Sequence, residues 1–160
     1  MQLENQNKMS DKIHKPILIV IAGPNGSGKT SVTSKILKHE WMENALYINP
    51  DIIAQEIFGD WNSPEAIMSS IKYCENLREE CLEKKQSLIF ETVLSRYDKV
   101  DYIKRAIENG FFVRLFFVCA SFKVFSALFN VFSEILFSLL GTIFLFSLDL
   151  SFFVFCSCLS

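Results

Sequence analysis

The sequence predicts an α/β protein, a parallel sheet flanked by helices. Three observations predict it. Apolar strand-like runs alternate with segments of helical periodicity. The runs are apolar throughout rather than every second residue, as befits strands covered on both faces. The first run, Ile17-Leu18-Ile19-Val20-Ile21-Ala22, leads directly into Gly23-Pro24-Asn25-Gly26-Ser27-Gly28-Lys29-Thr30, a complete G-x-x-x-x-G-K-[ST] loop. Strand, glycine turn and helix start in that order make the sheet one of P-loop NTPase type.

The loop carries chemistry of its own. Its glycines let the backbone curl until several N–H groups face one point, and the positive end of the next helix adds to them. Gly23 to Thr30 are therefore candidate ligands of a nucleoside triphosphate. Lys29 is expected to reach the β- and γ-phosphates, and the Thr30 hydroxyl to hold Mg²⁺.

Each further element has its own signal. A helix is expected from Lys29 to about His39, with Val32, Ile36 and Leu37 inward. Ala45 to Ile48 reads as a strand, stopped at Asn49-Pro50-Asp51 by the proline. Ile52 to Phe58 fits a short helix closed by Gly59-Asp60. Ser63-Pro64-Glu65 is a strong helix start, with cap, first-turn proline and acid in order. That helix is expected to reach Lys84 and to bury Ile67, Ile71, Cys74, Leu77 and Cys81, which makes both cysteines core residues rather than reactive thiols. Ser87 to Thr92 is a third strand. Asp98 to Asn109 is a helix with Val100, Ile103 and Ile107 inward and Gly110 as its stop. Phe111 to Cys119 is a fourth strand, broken in apolar character by Arg114.

In such a sheet, ligands bind beyond the carboxyl ends of the strands. The loop, Asp51 and Glu91-Thr92 all fall there. Glu91 ends an apolar strand and is a candidate for the Mg²⁺ shell or for substrate contact. The plainer alternative is an edge carboxylate facing solvent. Asp51 is the candidate base, because phosphoryl transfer to a hydroxyl needs a carboxylate near the acceptor. Its plainer alternative is a helix N-cap. Arg96 follows in a loop and is a candidate for an anionic substrate group, or a solvated arginine. Arg114 is given no role.

Composition sets the remaining bounds. The chain has 160 residues and a net charge of −2. That length suits one core, and nothing in the charge points to a nucleic-acid partner. Five scattered cysteines and two histidines form no zinc pattern and fit a reducing, cytoplasmic setting. Residues 1–14 are polar, are expected to be a disordered tail, and show no signal-peptide pattern. A core is expected over 15–120, followed by an atypical Phe-rich C-terminal tail over 121–160. After Lys123 there is no Lys or Arg, the only charges are Glu134 and Asp149, and ten of the sixteen phenylalanines lie from Phe122 to Phe155. Three readings stand for this tail. It is an altered reading frame, a membrane-associated end, or a core segment in which Phe144-Leu145-Phe146 adds a strand. The apolar stretch Ile135–Leu148 falls short of the about 20 residues of a span.

The motifs Ile21–Thr30, Tyr47-Ile48-Asn49-Pro50-Asp51 with Ile53-Ala54, Phe90-Glu91-Thr92-Val93, and Gly110-Phe111 with Arg114–Val118 together resemble the zeta-toxin family of P-loop kinases. The resemblance covers about residues 15–119, and the pairing of Asn-Pro-Asp with Phe-Glu-Thr is more specific than the loop alone. It implies a kinase using ATP and Mg²⁺, with a small-molecule hydroxyl acceptor such as UDP-N-acetylglucosamine. It also implies Lys29 on phosphate, Thr30 on the metal, Asp51 as base, Glu91 in the substrate or metal shell, and an antitoxin as a candidate partner. The family continues with an arginine-bearing helix and lid, whereas Ala120 onward has no such segment. Arginines of that kind contribute ~10³–10⁵ in rate. The alternative function is therefore a nucleotide-binding module without transfer activity.

Overall fold

A computed structural model describes residues 15–39, 42, 44–59, 63–93 and 97–119, together with the backbone of 150–156. In chain order the elements are β1 (Ile17–Ala22), α1 (Lys29–Ile36), β2 (Leu46–Ile48), α2 (Pro50–Phe58), α3 (Pro64–Glu83), β3 (Leu88–Thr92), α4 (Tyr97–Glu108), β4 (Phe112–Cys119) and β5 (Leu150–Cys156). The strands form one sheet in the order β2-β3-β1-β4-β5, and every neighbouring pair is parallel. This is the predicted α/β architecture.

The apolar strands bury both faces, as their composition requires. Leu18, Val20, Leu88, Phe90, Val113, Leu115 and Phe117 pack with α3 and α4 residues such as Cys74, Leu82, Ile103 and Phe111, which follows α4. Ile19, Ile21, Ile89, Phe116 and Val118 pack beneath Val32 and Ile36 of α1. Full burial of each such side chain contributes roughly 1.5–3 kcal/mol. Burial also pushes the Cys74 thiol up to about 11, so at neutral pH it is an inert core group.

Chain direction fixes where a ligand can sit. From β1 the chain crosses outward to β2, then returns through β3 to β4. Right-handed crossovers put the helices of outward and returning connections on opposite faces. The connections leaving β1 and β3 therefore diverge, and a crevice opens between these adjacent strands at their carboxyl ends. The register sets Ile21 beside Glu91 and Ala22 beside Thr92, and the amide of Gly23 donates to the Thr92 carbonyl at 3.1 Å.

Two local expectations need correction. In α3, Ile67 and Ile71 are exposed, and Ala66, Ser70, Cys74, Arg78, Cys81 and Leu82 are buried. Helix α2 packs along α3, and the small Ala66 and Ser70 are among the residues that α3 buries. Arg78 holds a core position because its guanidinium lies 5.3 Å over the Phe90 ring. The short helix expected from Ile52 begins two residues earlier, at Pro50, and its cap is Asn49, whose side chain accepts from the Asp51 amide. Ser63 caps α3 as expected, accepting from Ala66 N at 3.0 Å. The expected strand at 144–146 and the apolar stretch 135–148 lie outside the described residues.

Candidate functional site

The loop after β1 is held by its own geometry. A Cβ on Gly23 would stand 2.1 Å from the Val118 carbonyl oxygen, so only glycine fits beside β4. Gly28 caps α1 with φ +92, a left-handed turn that glycine adopts without strain. The amides of Ser31 and Val32 turn back to the Gly28 carbonyl, while Lys29 and Thr30, ahead of them, line a cleft of about 620 Å³. The Ser27 hydroxyl is buried in the loop and meets no hydrogen-bond partner among the described residues.

Lys29 folds back over the loop. Its Nζ donates to the carbonyls of Gly23 and Pro24, both at 2.9 Å. Burial holds its pKa below the ordinary lysine value, opposed by the charges of Glu91 and Asp51. Both acids thus act on the same ammonium group. The cleft is lined by Asn25, Gly26, Gly28, Lys29, Thr30, Asp51, Glu91 and Thr92, among others. Sequence separation is wide, but the fold brings these candidates to one edge of the sheet.

Glu91 is not the solvent-facing edge carboxylate of the plainer reading. Its Oε1 accepts from Thr33 Oγ1 and from the Tyr47 hydroxyl, each at 2.7 Å. Its Oε2 lies 3.4 Å from Thr30 Oγ1. Asp51 is not the N-cap of its helix, since Asn49 takes that place. Its side chain is exposed at the cleft rim. Arg96 lies outside the described residues. The Arg114 guanidinium sits over the Phe112 ring at 5.2 Å, and burial lowers its pKa.

Three site residues carry no role assigned from sequence: Thr33, which no motif includes, and Tyr47 and Asn49, which appear only within the Tyr47–Asp51 motif. Asn49 Nδ2 donates to the Tyr47 oxygen at 2.8 Å, which joins the Asp51-bearing helix to Glu91. The signal was period two along β2. Tyr47 pairs in register with Ile89, so it shares a face with Glu91, and that face is the one α1 covers.

The arrangement can bind a polyphosphate against loop amides and one lysine, with hard oxygen ligands beside it. Among the described residues no group of three or more His, Cys, Asp or Glu side chains could hold a metal. A Mg²⁺ ion takes one or two protein oxygens and fills its shell with water and phosphate. The Thr30 hydroxyl and Glu91 Oε2 fit that role. Among the described residues no helix is long and apolar enough to cross a membrane.

Fold and loop together define a P-loop protein of kinase type. The family model for the zeta toxin matches residues 2–129, and the chain belongs to that family. The match runs past the fourth strand, beyond the reach of the motifs alone. No curated protein matches the chain. Among solved structures, it is similar to a chain of the PezAT chromosomal toxin–antitoxin system of Streptococcus pneumoniae, with TM-score 0.55 and 21% identity over 81% of this chain and 58% of that one. A candidate kinase of Chloroflexus aurantiacus is similar at TM-score 0.52 and 19% identity, over 79% of this chain and 68% of that one. The chain thus spans little more than half the length of the first of these.

Proposed function

We propose that this chain is an ATP- and Mg²⁺-dependent phosphotransferase that moves the γ-phosphate to a hydroxyl of a small molecule, with a UDP-amino sugar as the leading acceptor. The observation that carries the reading is the convergence of Lys29, Asp51 and Glu91 on one cleft at the glycine loop. In this reading the loop amides and Lys29 bind the β- and γ-phosphates. Lys29 exchanges two neutral carbonyls for phosphate oxygens, so its charge is spent on the ligand rather than on an internal ion pair. Asp51 sits at the rim, where an acceptor hydroxyl can reach it, and takes the proton as the new P–O bond forms and the bond from the γ-phosphorus to the β,γ-bridging oxygen breaks, with ADP leaving. Thr30 and Glu91 hold Mg²⁺, which when bound neutralises charge on the transferring group. By analogy with the toxin–antitoxin neighbour, an antitoxin protein is the proposed partner.

A second reading keeps nucleotide binding without transfer. Among the described residues lining the cleft, Lys29 is the basic one, and transfer enzymes of this kind gain ~10³–10⁵ in rate from an added arginine. The test is ATP-dependent phosphorylation of UDP-N-acetylglucosamine and of simple sugars by the full chain, with nucleotide binding measured in parallel. Transfer that Lys29→Ala abolishes supports the kinase. Binding with no transfer to any acceptor supports the second reading. Transfer undiminished in Lys29→Ala defeats both.

A further inference from the structure

We propose that Tyr47 is a positioning residue. With Thr33 it saturates Oε1 of Glu91, so that the carboxylate offers the cleft a single oxygen, Oε2, and through Asn49 it ties that acid to the start of α2. The inference rests on the reading of Glu91 as a metal-shell acid.

The proton directions follow from the partners. Asn49 Oδ1 is occupied by the Asp51 amide at 2.9 Å, so its Nδ2 faces Tyr47, at 2.8 Å. An amide nitrogen only donates, so the Tyr47 oxygen accepts there, and its own proton goes to Glu91 Oε1 at 2.7 Å. Thr33 has one proton and two acceptors in reach, the Lys29 carbonyl at 3.1 Å and Glu91 Oε1 at 2.7 Å. The shorter, charge-assisted contact takes it. Two such donors fill the lone pairs of Oε1. Oε2 meets Thr30 Oγ1 at 3.4 Å, a contact loose enough for both oxygens to turn to a cation. Thr33 arrives from α1, Tyr47 from β2 and Asn49 from the cap of α2, so four elements, counting β3, fix one carboxylate rotamer.

Outer partners of this kind typically govern metal affinity by 10–100-fold. The experiment uses the full chain and fluorescent mant-ATP, titrated with MgCl₂ and compared with EDTA. In Tyr47→Phe the Mg²⁺ concentration at which nucleotide binding tightens is expected to rise about tenfold or more, with binding in EDTA unchanged. A Mg²⁺ midpoint equal to that of the wild type overturns the inference. So does equal weakening with and without Mg²⁺, which marks a purely structural effect. Should Tyr47→Phe fail to fold, the Thr33 pair carries the test. Thr33→Val is expected to shift the midpoint and Thr33→Ser, which keeps the hydroxyl, to restore it; identical midpoints in the two overturn the inference. A wild-type chain that binds no mant-ATP in either condition overturns the kinase reading together with this one. A wild type that binds and responds to Mg²⁺ beside an unshifted Tyr47→Phe overturns this one alone.

Discussion

Two clefts of similar size are lined by charge, and they handle it differently. In the groove of about 460 Å³ between α3 and α4, opposite charges are paired with each other. Arg105 donates to both oxygens of Glu79 at 2.8 Å and to Asp101 at 3.1 Å, and Lys99 bridges Glu75 and Asp98. In the loop cleft, neutral dipoles hold the charges. Lys29 rests on carbonyls, and Glu91 accepts from hydroxyls. Paired charges are already neutralised and have little left for a ligand. Charges held by dipoles keep their field, which a phosphate or a cation can meet. The difference sets a fastening between helices apart from the candidate site.

The sharpest way to break this contrast is Lys29→Ala. If the lysine's charge is reserved for the ligand, turnover falls by about 10²–10³, the scale set by removing one preorganised donor, while the thermal midpoint moves little. A large loss of stability with turnover retained would make Lys29 a structural residue after all. Gly23→Ala tests the scaffold rather than the charge. The obstacle is a backbone carbonyl, which cannot step aside, so a cost of about 3 kcal/mol is expected, read by urea denaturation.

How much of this was legible beforehand depends on range. The loop, its helix and the strands declare themselves locally, because glycine turns and apolar runs act over a few residues. Asp51 and Glu91 were legible as strand-end acids. Their plainer alternatives were not separable in sequence, since Asn49 and Asp51 are both good caps and only the folded turn shows which one accepts. Tyr47, Thr33 and Asn49 were invisible as a group because the register of β2 on β3 and the phase of α1 decide their meeting. The inward face of α3 was misread for a related reason. Periodicity locates an apolar stripe, but the buried face of α3 also takes in the small Ala66 and Ser70, and Arg78, which lies on an aromatic ring.

The smallest expected effects test the helix groove. Arg105 and Glu79 are substantially exposed, with side chains 39% and 49% accessible, so solvent screens their pairing. Arg105→Ala is expected to cost roughly 0.2–1 kcal/mol, to lose that difference in high salt, and to leave nucleotide binding untouched. The pH dependence sharpens the point. The hydrogen bonds from Arg105 hold the Glu79 pKa below its ordinary value of 4.5. A depressed carboxylate stabilises the fold fully above the unfolded pKa, because there both states are ionised and the pair is intact. As pH falls below 4.5, the unfolded chain takes up the proton first, and the contribution fades until the folded carboxylate is protonated as well. The stability gap between wild type and Arg105→Ala should therefore be constant near neutrality and close on acidification through that window. A gap that persists well below it would mean that Arg105 acts through packing on Tyr102, whose ring lies 5.5 Å from the guanidinium, rather than through charge.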